Sequence, residues 1–267
     1  MTRRAHVTRS DILTGLRDVG IQAGDVVLMH SSLSAFGWVE GGADAVIDAV
    51  LEAVGEAGTI VVPTFTWGPF HDAETAVLDL ERTPVKDEVG IIPETFRRRP
   101  DARRSTHMCH SVAAIGPHTD EVMGEGVSSF GEGSSFDRLY QLDSWNLLLG
   151  VGFTSCTALH AVEERAEVPY RYHRTFYGST VVMPDGTELA SNSIELLRYG
   201  GYRNDFGKMR QVLGEAGVLR VTTIGEAEVI NVRIRDIMDV TMEHMRRDIG
   251  FLLTPTSAER MRHEFGG

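Results

Sequence analysis

The sequence has little cysteine, no long apolar run and no excess of positive charge. Among its 267 residues are two cysteines, Cys109 and Cys156, which are too few for a disulfide framework and favour a reducing, cytoplasmic environment. No segment approaches the roughly 18 uninterrupted apolar residues of a membrane-spanning helix, so we expect no membrane span. The opening residues, MTRRAHVTRSDILTGL, also lack the apolar core of a secretion signal.

The charge balance narrows the class of ligand. The formal net charge is −12 at pH 7, which argues against nucleic acid because binding to phosphate backbones needs a basic footprint. An acidic protein attracts cations, so the same balance fits a small cationic ligand better. Most of the excess carboxylates are also expected on any ordinary solvated surface.

Apolar runs alternate with amphipathic stretches along the first part of the chain. The runs DVVLMH, GTIVVP, SVAAIG and LLLGVG, at residues 25–30, 58–63, 111–116 and 147–152, are typical of buried strands. Between the first two lies ADAVIDAVLEAVG, a helix that Gly55 should close, so these pieces predict a right-handed βαβ crossover. We therefore expect a single three-layer α/β/α domain with a largely parallel or mixed central sheet and a smaller C-terminal β-hairpin and helical part.

Other helices and strands are predicted from the residue types at their ends and turns. Ser10 is expected to cap a first helix that ends near Gly20. The remaining assignments are an irregular aromatic loop over a cleft at residues 64–88, a short helix at 90–99 with Pro93 in its first turn, a β-hairpin at 175–189 and a closing helix at 234–253.

A histidine and a carboxylate follow the LLLGVG strand. His160 and Glu163 are three residues apart in a predicted helix, so both face one side, just past a strand end where α/β proteins bind ligands. An imidazole beside a carboxylate can remove a proton from a nucleophile. The same spacing also arises by chance on the exposed face of an amphipathic helix.

Two further segments suggest anion binding. Ser31, Ser32, Leu33 and Ser34 follow a strand, and small hydroxyl residues there let backbone N–H groups approach a phosphate, although the segment is neither a Walker A loop nor G-x-G-x-x-G. Five arginines also lie between Arg97 and Arg104. They predict either a cationic patch for an anionic ligand or the solvated end of a helix.

The cysteines offer two weaker hypotheses. His107, Cys109 and His110 could suggest a metal site, but no second group has ligand spacing, so we expect no metal. Cys156 lies four residues before His160, which raises a thiol–imidazole pair; a cysteine in such an apolar setting more often acts as a small apolar residue.

Taken in order, these segments closely resemble the aminoglycoside 3-N-acetyltransferase family, which uses acetyl-coenzyme A. The matching pieces cover roughly residues 8–170 and are HSSLSAFGWVEGGADAVIDAVLEAVGEAGTIVVPTFTW, VGIIPETFRRRPDARRSTHMCHSVAAIGP and GEGSSFDRLYQLDSWNLLLGVGFTSCTALHAVEERAEVPY. A family-like helix recurs at RDIMDVTMEHMRRDIG. The resemblance implies one antibiotic N-acetyltransferase-like domain at 1–267, with a coenzyme-binding core at about 8–170 and a C-terminal elaboration at about 171–267.

The resemblance also implies roles for individual residues. His160 would be the general base in direct acetyl transfer to the 3-amino group of an aminoglycoside, and Glu163 its acidic partner. Glu163 or Glu164 could instead bind a substrate ammonium group, on the side where Thr66 and Trp67 are expected. The coenzyme would contact Ser31, Ser32, Leu33, Ser34, Arg104, Ser105, Ser111 and Val112. The implied partners are coenzyme A and a cationic aminoglycoside, without metal, nucleic acid or membrane, and a homodimer stays open.

The chain departs from the family pattern at two places. Phe153 and Thr154 stand where many members have Asp or His-Asp, with Cys156 in place of the usual Asn, and Met108 replaces a common Pro. The first departure bears on the range of antibiotics accepted. The alternatives are a same-family acetyltransferase acting on another amine, a Cys156/His160 amidase or hydrolase, and a coenzyme-binding sensor without catalysis.

Overall fold

The central element of the fold is a seven-stranded mixed β-sheet. The computed structural model describes residues 4–67 and 75–266. Within them the strands are β1 (His6–Val7), β2 (Val26–Ser31), β3 (Trp38–Val39), β4 (Thr59–Pro63), β5 (Val77–Asp79), β6 (Arg103–Arg104), β7 (Val112–Ile115), β8 (Trp145–Leu149), β9 (Arg171–Thr175), β10 (Thr180–Val182), β11 (Glu188–Ala190), β12 (Ile194–Arg198), β13 (Arg220–Ile224) and β14 (Ala227–Arg233). The helices are α1 (Arg9–Asp18), α2 (Gly42–Val54), α3 (Ile91–Arg97), α4 (Thr119–Met123), α5 (Ser135–Gln141), α6 (Ala158–Arg165), α7 (Met209–Glu215), α8 (Ile234–Arg247) and α9 (Pro255–Phe265).

The sheet has the strand order β13-β14-β8-β2-β4-β7-β6. The central strand β2 pairs in parallel with β4, as the crossover through α2 requires, and also in parallel with β8. The outer pairs β4–β7, β7–β6, β8–β14 and β14–β13 are antiparallel. Of the two predicted alternatives, the mixed sheet is therefore confirmed and the largely parallel one is wrong.

Apolar side chains cover both faces of this sheet. On β2, Val27 and Met29 pack into one cluster and Val26 and Leu28 into another, because successive side chains of a strand point to opposite faces. Residues of α1, α2 and α3 join the first cluster, and residues of α5, α6 and α8 join the second. Burial on both faces explains why the strands are continuous apolar runs.

Two helix ends test the predicted capping signals. Helix α2 ends before Gly55, as predicted. The prediction for α1 is wrong by two residues: Thr8, not Ser10, is the N-cap. The Thr8 hydroxyl accepts the backbone N–H of Asp11, and the Asp11 carboxylate accepts the backbone N–H of Thr8 at 2.8 Å. This reciprocal capping box satisfies two backbone donors, which a cap at Ser10 would not.

Smaller sheets lie outside the central one. The predicted hairpin is confirmed with shorter strands, β10 and β11, which pair antiparallel. Strand β5 pairs in parallel with β10, so the segment 64–88, predicted to be irregular, contributes a strand; part of that segment, 68–74, lies outside the described residues. Strands β9 and β12 form a separate antiparallel pair.

The residues after 170 also contribute to the central sheet. Strand β14 pairs with β8 and carries β13 at the sheet edge, so the proposed division at residue 170 does not match the sheet. The predicted closing helix is also too long: α8 ends at Arg247, and α9 follows after a break containing Gly250. No helix in the described parts of the chain combines the length and apolarity that crossing a membrane demands.

Candidate active site

Two adjoining cavities open at the ends of β2 and β8. The first, which we call the histidine cavity, has a volume of about 470 Å³ and is lined by residues that include His30, His110 and His160. The second, the serine-loop cavity, has a volume of about 710 Å³ and is lined by residues that include Ser31 to Ser34. The two cavities share the lining residues Ser31, Glu88, Val89 and Val151. A long ligand in one cavity can therefore place its end in the other.

His160 is held at the wall of the histidine cavity by a hydrogen bond on one ring nitrogen. Its Nδ1 lies 2.6 Å from Glu163 Oε2, across one turn of α6. The rings of Phe130 and Phe206 pack at 5.3 Å and 4.9 Å from the imidazole. Because an ionised carboxylate only accepts hydrogen bonds, Nδ1 carries the proton and the lone pair is on Nε2. This tautomer is the one that a general base needs.

Glu163 is fully buried among donors. Beside His160, Arg171 lies 2.7 Å from Oε2. Tyr170 donates its hydroxyl to Oε1 at 3.0 Å, and the Asn204 amide donates to the same oxygen at 2.6 Å. A buried carboxylate is stable when its oxygens are bonded and its charge is paired, and Glu163 meets both conditions.

The same contacts shift the proton affinities of the pair. Burial lowers the pKa of His160, and the positive charge of Arg171 lowers it further, while Glu163 acts in the opposite direction. Burial by itself raises the pKa of Glu163, but Arg171 and His160 outweigh it, so this pKa lies below its ordinary value. At neutral pH the pair therefore consists of an ionised Glu163 and a neutral His160.

The serine loop leaves the end of β2 and packs against the turn after β8. The Ser32 backbone N–H donates to the Leu149 carbonyl at 2.9 Å, and the Ser32 and Ser34 hydroxyls lie 3.3 Å apart. Gly150 has a φ of +70°, and a Cβ atom there would lie 2.5 Å from the Cβ of Ala35. A residue with a side chain would therefore push the loop away from the strand end.

A comparison with known families identifies the architecture. The family model described as aminoglycoside 3-N-acetyltransferase matches residues 28–246. The chain belongs to the aminoglycoside 3-N-acetyltransferase family.

Individual relatives agree with this assignment. The chain is 35% identical over 183 residues to the SPbeta prophage-derived aminoglycoside N(3')-acetyltransferase-like protein YokD of Bacillus subtilis, a match covering 61% of this chain and 66% of that protein. It is 29% identical over 263 residues to aminoglycoside N(3)-acetyltransferase IV of a Salmonella species, covering 95% and 94%. Its structure is similar, at a TM-score of 0.81, 26% identity and 97% and 96% coverage, to a histidine-to-alanine mutant of aminoglycoside acetyltransferase AAC(3)-IVa in complex with a gentamicin.

The structure divides the residues that the family resemblance assigned to the coenzyme. Ser31, Ser32, Leu33 and Ser34 line the serine-loop cavity. Arg104, Ser105, Ser111 and Val112 line neither cavity, and their groups are engaged inside the protein. The Arg104 guanidinium donates to the Thr64 and Thr83 carbonyls at 2.7 Å and 2.6 Å.

The other three residues of this group are equally internal. The Ser105 hydroxyl accepts the Val112 backbone N–H at 2.9 Å, and the Ser111 hydroxyl donates to the Thr64 carbonyl at 2.9 Å. Val112 is fully buried in β7. Arg104 itself is enclosed enough that burial lowers its pKa to about 9. These contacts support a structural role for the four residues.

The four residues expected to bind the acceptor also lie in different places. Trp67 lines the histidine cavity. Thr66 is buried, and its hydroxyl donates to the Met108 carbonyl. Glu164 lies outside the cavity wall and bonds to His173 at 2.9 Å. Glu163 is bonded behind His160 without any exposed side-chain surface, so it cannot contact a substrate ammonium group directly.

The cysteine hypotheses have physical counterarguments. Cys156 lines the histidine cavity, but burial raises the pKa of its thiol to about 12, which opposes the thiolate that a nucleophile needs. His107 accepts the backbone N–H groups of Cys109 and His110 at 3.2 Å and 3.0 Å, so its Nδ1 is occupied. In residues 4–67 and 75–266, no three His, Cys, Asp or Glu side chains come together as a metal site would require.

The sequence did not identify three residues around Glu163. Tyr170 is the last residue of the family-like segment and Arg171 follows it directly, so their position was a usable signal. Asn204 is 41 residues beyond Glu163, in a stretch that the pattern left unassigned. Its place depends on the turn before Phe206–Lys208 and on a bridge between Asn204 and Leu253. Only the tertiary structure brings it to the carboxylate.

Proposed function

We propose that the protein transfers an acetyl group from acetyl-coenzyme A to the 3-amino group of an aminoglycoside, with His160 as the general base. The observation that carries this proposal is the pair of His160 and the fully buried Glu163 at the wall of a cavity that adjoins a second, hydroxyl-lined one. Membership of the aminoglycoside 3-N-acetyltransferase family supports the reaction class. The gentamicin complex of the related AAC(3)-IVa mutant supports the acceptor class.

The chemistry follows from the state of His160. An amine attacks a thioester only after it has lost its extra proton, and neutral His160 can accept a proton at Nε2 as the nitrogen bonds to the acetyl carbon. The carbon–sulfur bond then breaks, and the proton held by His160 can pass to the leaving sulfur. Glu163 keeps Nδ1–H in place and stabilises the imidazolium that forms, as the acid of a catalytic triad does.

The serine-loop cavity suits the coenzyme. The hydroxyl groups on Ser32 and Ser34 offer donors to phosphate oxygens. Trp38 and Ile91 also line this cavity and have more than half of their surface exposed. Exposed apolar side chains at a cavity often mark a binding surface, and here they fit the adenine ring. The thioester end would then reach the shared wall at Ser31 and Val151.

The histidine cavity would hold the acceptor. Its wall contains the carboxylate of Glu88, which can attract ammonium groups, together with Arg171 and Arg198. Glu195 also belongs to the wall, but it is buried. Arg171 is paired with Glu163, so its charge is compensated within the protein. Trp67 offers an aromatic face beside these groups. Because Glu163 has no exposed surface, its proposed role is to orient His160 rather than to bind the substrate.

The test is an acetyl-transfer assay with a panel of aminoglycosides and simpler amines. The reaction is monitored by the release of free thiol, and the acetylated position of each product is then determined. We expect acetylation at the 3-amine, and we expect His160→Ala to lower turnover by at least about 100-fold while coenzyme affinity changes little. Near-normal turnover in folded His160→Ala protein would remove the histidine from the mechanism. Acetylation of only a non-aminoglycoside amine would instead favour the same chemistry on another substrate.

A further inference from the structure

A buried carboxylate beside a histidine creates a difficulty for base catalysis. The Glu163 Oε2 to His160 Nδ1 distance is 2.6 Å, and an uncompensated negative charge that close favours the protonated imidazole. An imidazole that is already protonated at neutral pH cannot accept a proton from a substrate amine. Burial of the ring opposes this protonation, and a positive charge beside Glu163 would oppose it further while leaving the hydrogen bond in place.

Arg171 lies where it can do this. Its Nη2 atom is 2.7 Å from Glu163 Oε2 and 3.0 Å from His160 Nδ1, so it faces the same carboxylate oxygen that holds the imidazole. Its side chain is only 6% exposed, which limits screening by water. Since both Nδ1 and Nη2 carry hydrogen, the two donors share Oε2, and a positive charge stands beside the ring.

Asn204 fixes the orientation of this arginine. Its Oδ1 accepts from Arg171 Nη2 at 3.2 Å, while its Nδ2 donates to Glu163 Oε1 at 2.6 Å. One amide thus connects the arginine to the other oxygen of the carboxylate. The arrangement is a closed network of His160, Glu163, Arg171 and Asn204, which leaves Arg171 little freedom to turn away.

We propose that Arg171 is a positioning residue that neutralises Glu163 and so keeps His160 unprotonated and ready to act as a base. This inference rests on the proposed function at one point only: acetyl transfer is the reaction that needs a neutral His160. The chemistry requires no contact between Arg171 and the coenzyme. Arg171, which comes from β9, acts on the reaction only through Glu163 and the His160 imidazole.

Other charged groups surround the imidazole without bridging the pair in this way. Arg198 of β12 is bonded to Asn204, and it also lowers the pKa of His160, after burial and Arg171. The turn that carries Phe206 holds Asp205 and Lys208, which pair with each other at 3.4 Å. The remaining titratable groups on the cavity wall or in the network are Glu88, Glu195, His30, His110, Cys156 and Tyr170.

The experiment is an NMR titration of the His160 ring in the full-length protein, with His160→Asn identifying its signal among the ten histidines. Arg171→Met removes the charge and should raise the midpoint of His160 by about one to three pH units. Arg171→Lys keeps the charge and should stay within about half a pH unit of the wild type. The acid limb of kcat/KM should move in the same direction as the NMR midpoint.

A second pair of variants covers the case in which Arg171→Met leaves a buried charge and does not fold. Glu163→Gln and the double variant Glu163→Gln/Arg171→Met differ only in the arginine, and the double variant buries no unpaired charge at this position. We expect the His160 midpoint to be higher in the double variant by about one pH unit or more. The proposal is overturned if the His160 midpoints of Glu163→Gln and of the double variant agree within about 0.3 pH units. It is also overturned if those of Arg171→Met and Arg171→Lys agree within the same margin.

The titration also separates this proposal from the proposed function. The His160 midpoint is measured in the free protein and depends on no substrate. If the midpoints move as expected but no aminoglycoside is acetylated, the acceptor assignment fails and the role of Arg171 stands. If acetylation occurs and the midpoints do not move, the acetyltransferase assignment stands and Arg171 only supports packing.

Discussion

At the scale of single residues, two neighbouring arginines show how burial changes a role. Arg103 and Arg104 form the short strand β6 and have the same chemistry in the sequence. Arg103 is 59% exposed and pairs with Asp120 at the surface. Arg104 lies inward and supplies its guanidinium to Thr64, Thr83 and Ser111. The alternation of side chains along a strand separates a solvated charge from a structural one.

This contrast predicts the effect of removing each arginine. Arg104→Ala should lower the free energy of unfolding by at least about 2 kcal/mol, because buried carbonyl and hydroxyl groups lose their donor. Arg103→Ala is the matched control and should change it by less than about 1 kcal/mol. Urea unfolding measures both, and calorimetry should find coenzyme affinity unchanged in folded Arg104→Ala. A large loss of coenzyme affinity there would restore the arginine to the coenzyme path.

Two tryptophans test the assignment of the cavities. Trp38 lines the serine-loop cavity and Trp67 the histidine cavity. Trp38→Ala should raise the KM for acetyl-coenzyme A by about 2- to 10-fold, the usual range for losing an aromatic contact, with less effect on the acceptor. Trp67→Ala should show the opposite pattern. If both variants change the same constant, the division of the two cavities between two substrates is wrong.

At the scale of elements, the start of α1 shows why a cap cannot be read from residue type alone. Thr8, Ser10 and Asp11 are all residues that favour helix starts. Thr8 has extended backbone angles and Asp11 stands three residues later, which together allow the reciprocal bonds of a capping box. Ser10 is already helical, and its carbonyl accepts the Thr14 hydroxyl at 2.9 Å.

The capping box leads to a stability prediction with an internal control. Thr8→Ala removes the hydroxyl that accepts the Asp11 N–H and should cost about 1 kcal/mol of unfolding free energy. Ser10→Ala, two residues away, should change it by less than about 0.5 kcal/mol because alanine suits a helix interior. Denaturant unfolding of the two variants is the measurement. Equal losses would contradict the assignment of Thr8 as the cap.

At the scale of the whole molecule, buried histidines tie stability to pH. Burial lowers the pKa of His30 and of His107 to about 4. His107 shows the structural reason: its Nδ1 accepts two backbone N–H groups, and its Nε2 donates to the Ile194 carbonyl at 3.2 Å. A proton on Nδ1 would break the first two bonds. The folded state therefore holds both rings neutral where an unfolded chain would protonate them.

The sign of the pH effect follows directly. Between the unfolded pKa of about 6.5 and the folded pKa of about 4, the unfolded state binds more protons, so stability falls as the pH falls. Each ring can account for roughly 3 kcal/mol across that window. His107→Asn keeps an acceptor near Nδ1 but cannot titrate, so urea midpoints measured from pH 7.5 to 4.5 should depend less on pH than in the wild type. A slope equal to that of the wild type would exclude His107 as a contributor.

Much of the fold was already determined by the sequence, because local rules govern it. The runs that became β2, β4, β7 and β8 are continuous and apolar, and only strands covered on both faces accept such runs. Gly55 closes α2 because glycine adopts the left-handed backbone at a helix end. The i,i+3 spacing was enough to bring His160 and Glu163 together, since one helix turn carries both side chains.

What only the tertiary structure decided depends on contacts between distant segments. Strands β13 and β14 have mixed polar and apolar residues, and they join the central sheet only because β14 pairs with β8 and β13 pairs with β14. The same holds for the network behind the histidine: Arg171 comes from β9 and Asn204 from a loop tied to Leu252 and Leu253. These two side chains bury Glu163 and compensate its charge. Both effects depend on distant chain segments, which local sequence patterns do not bring together.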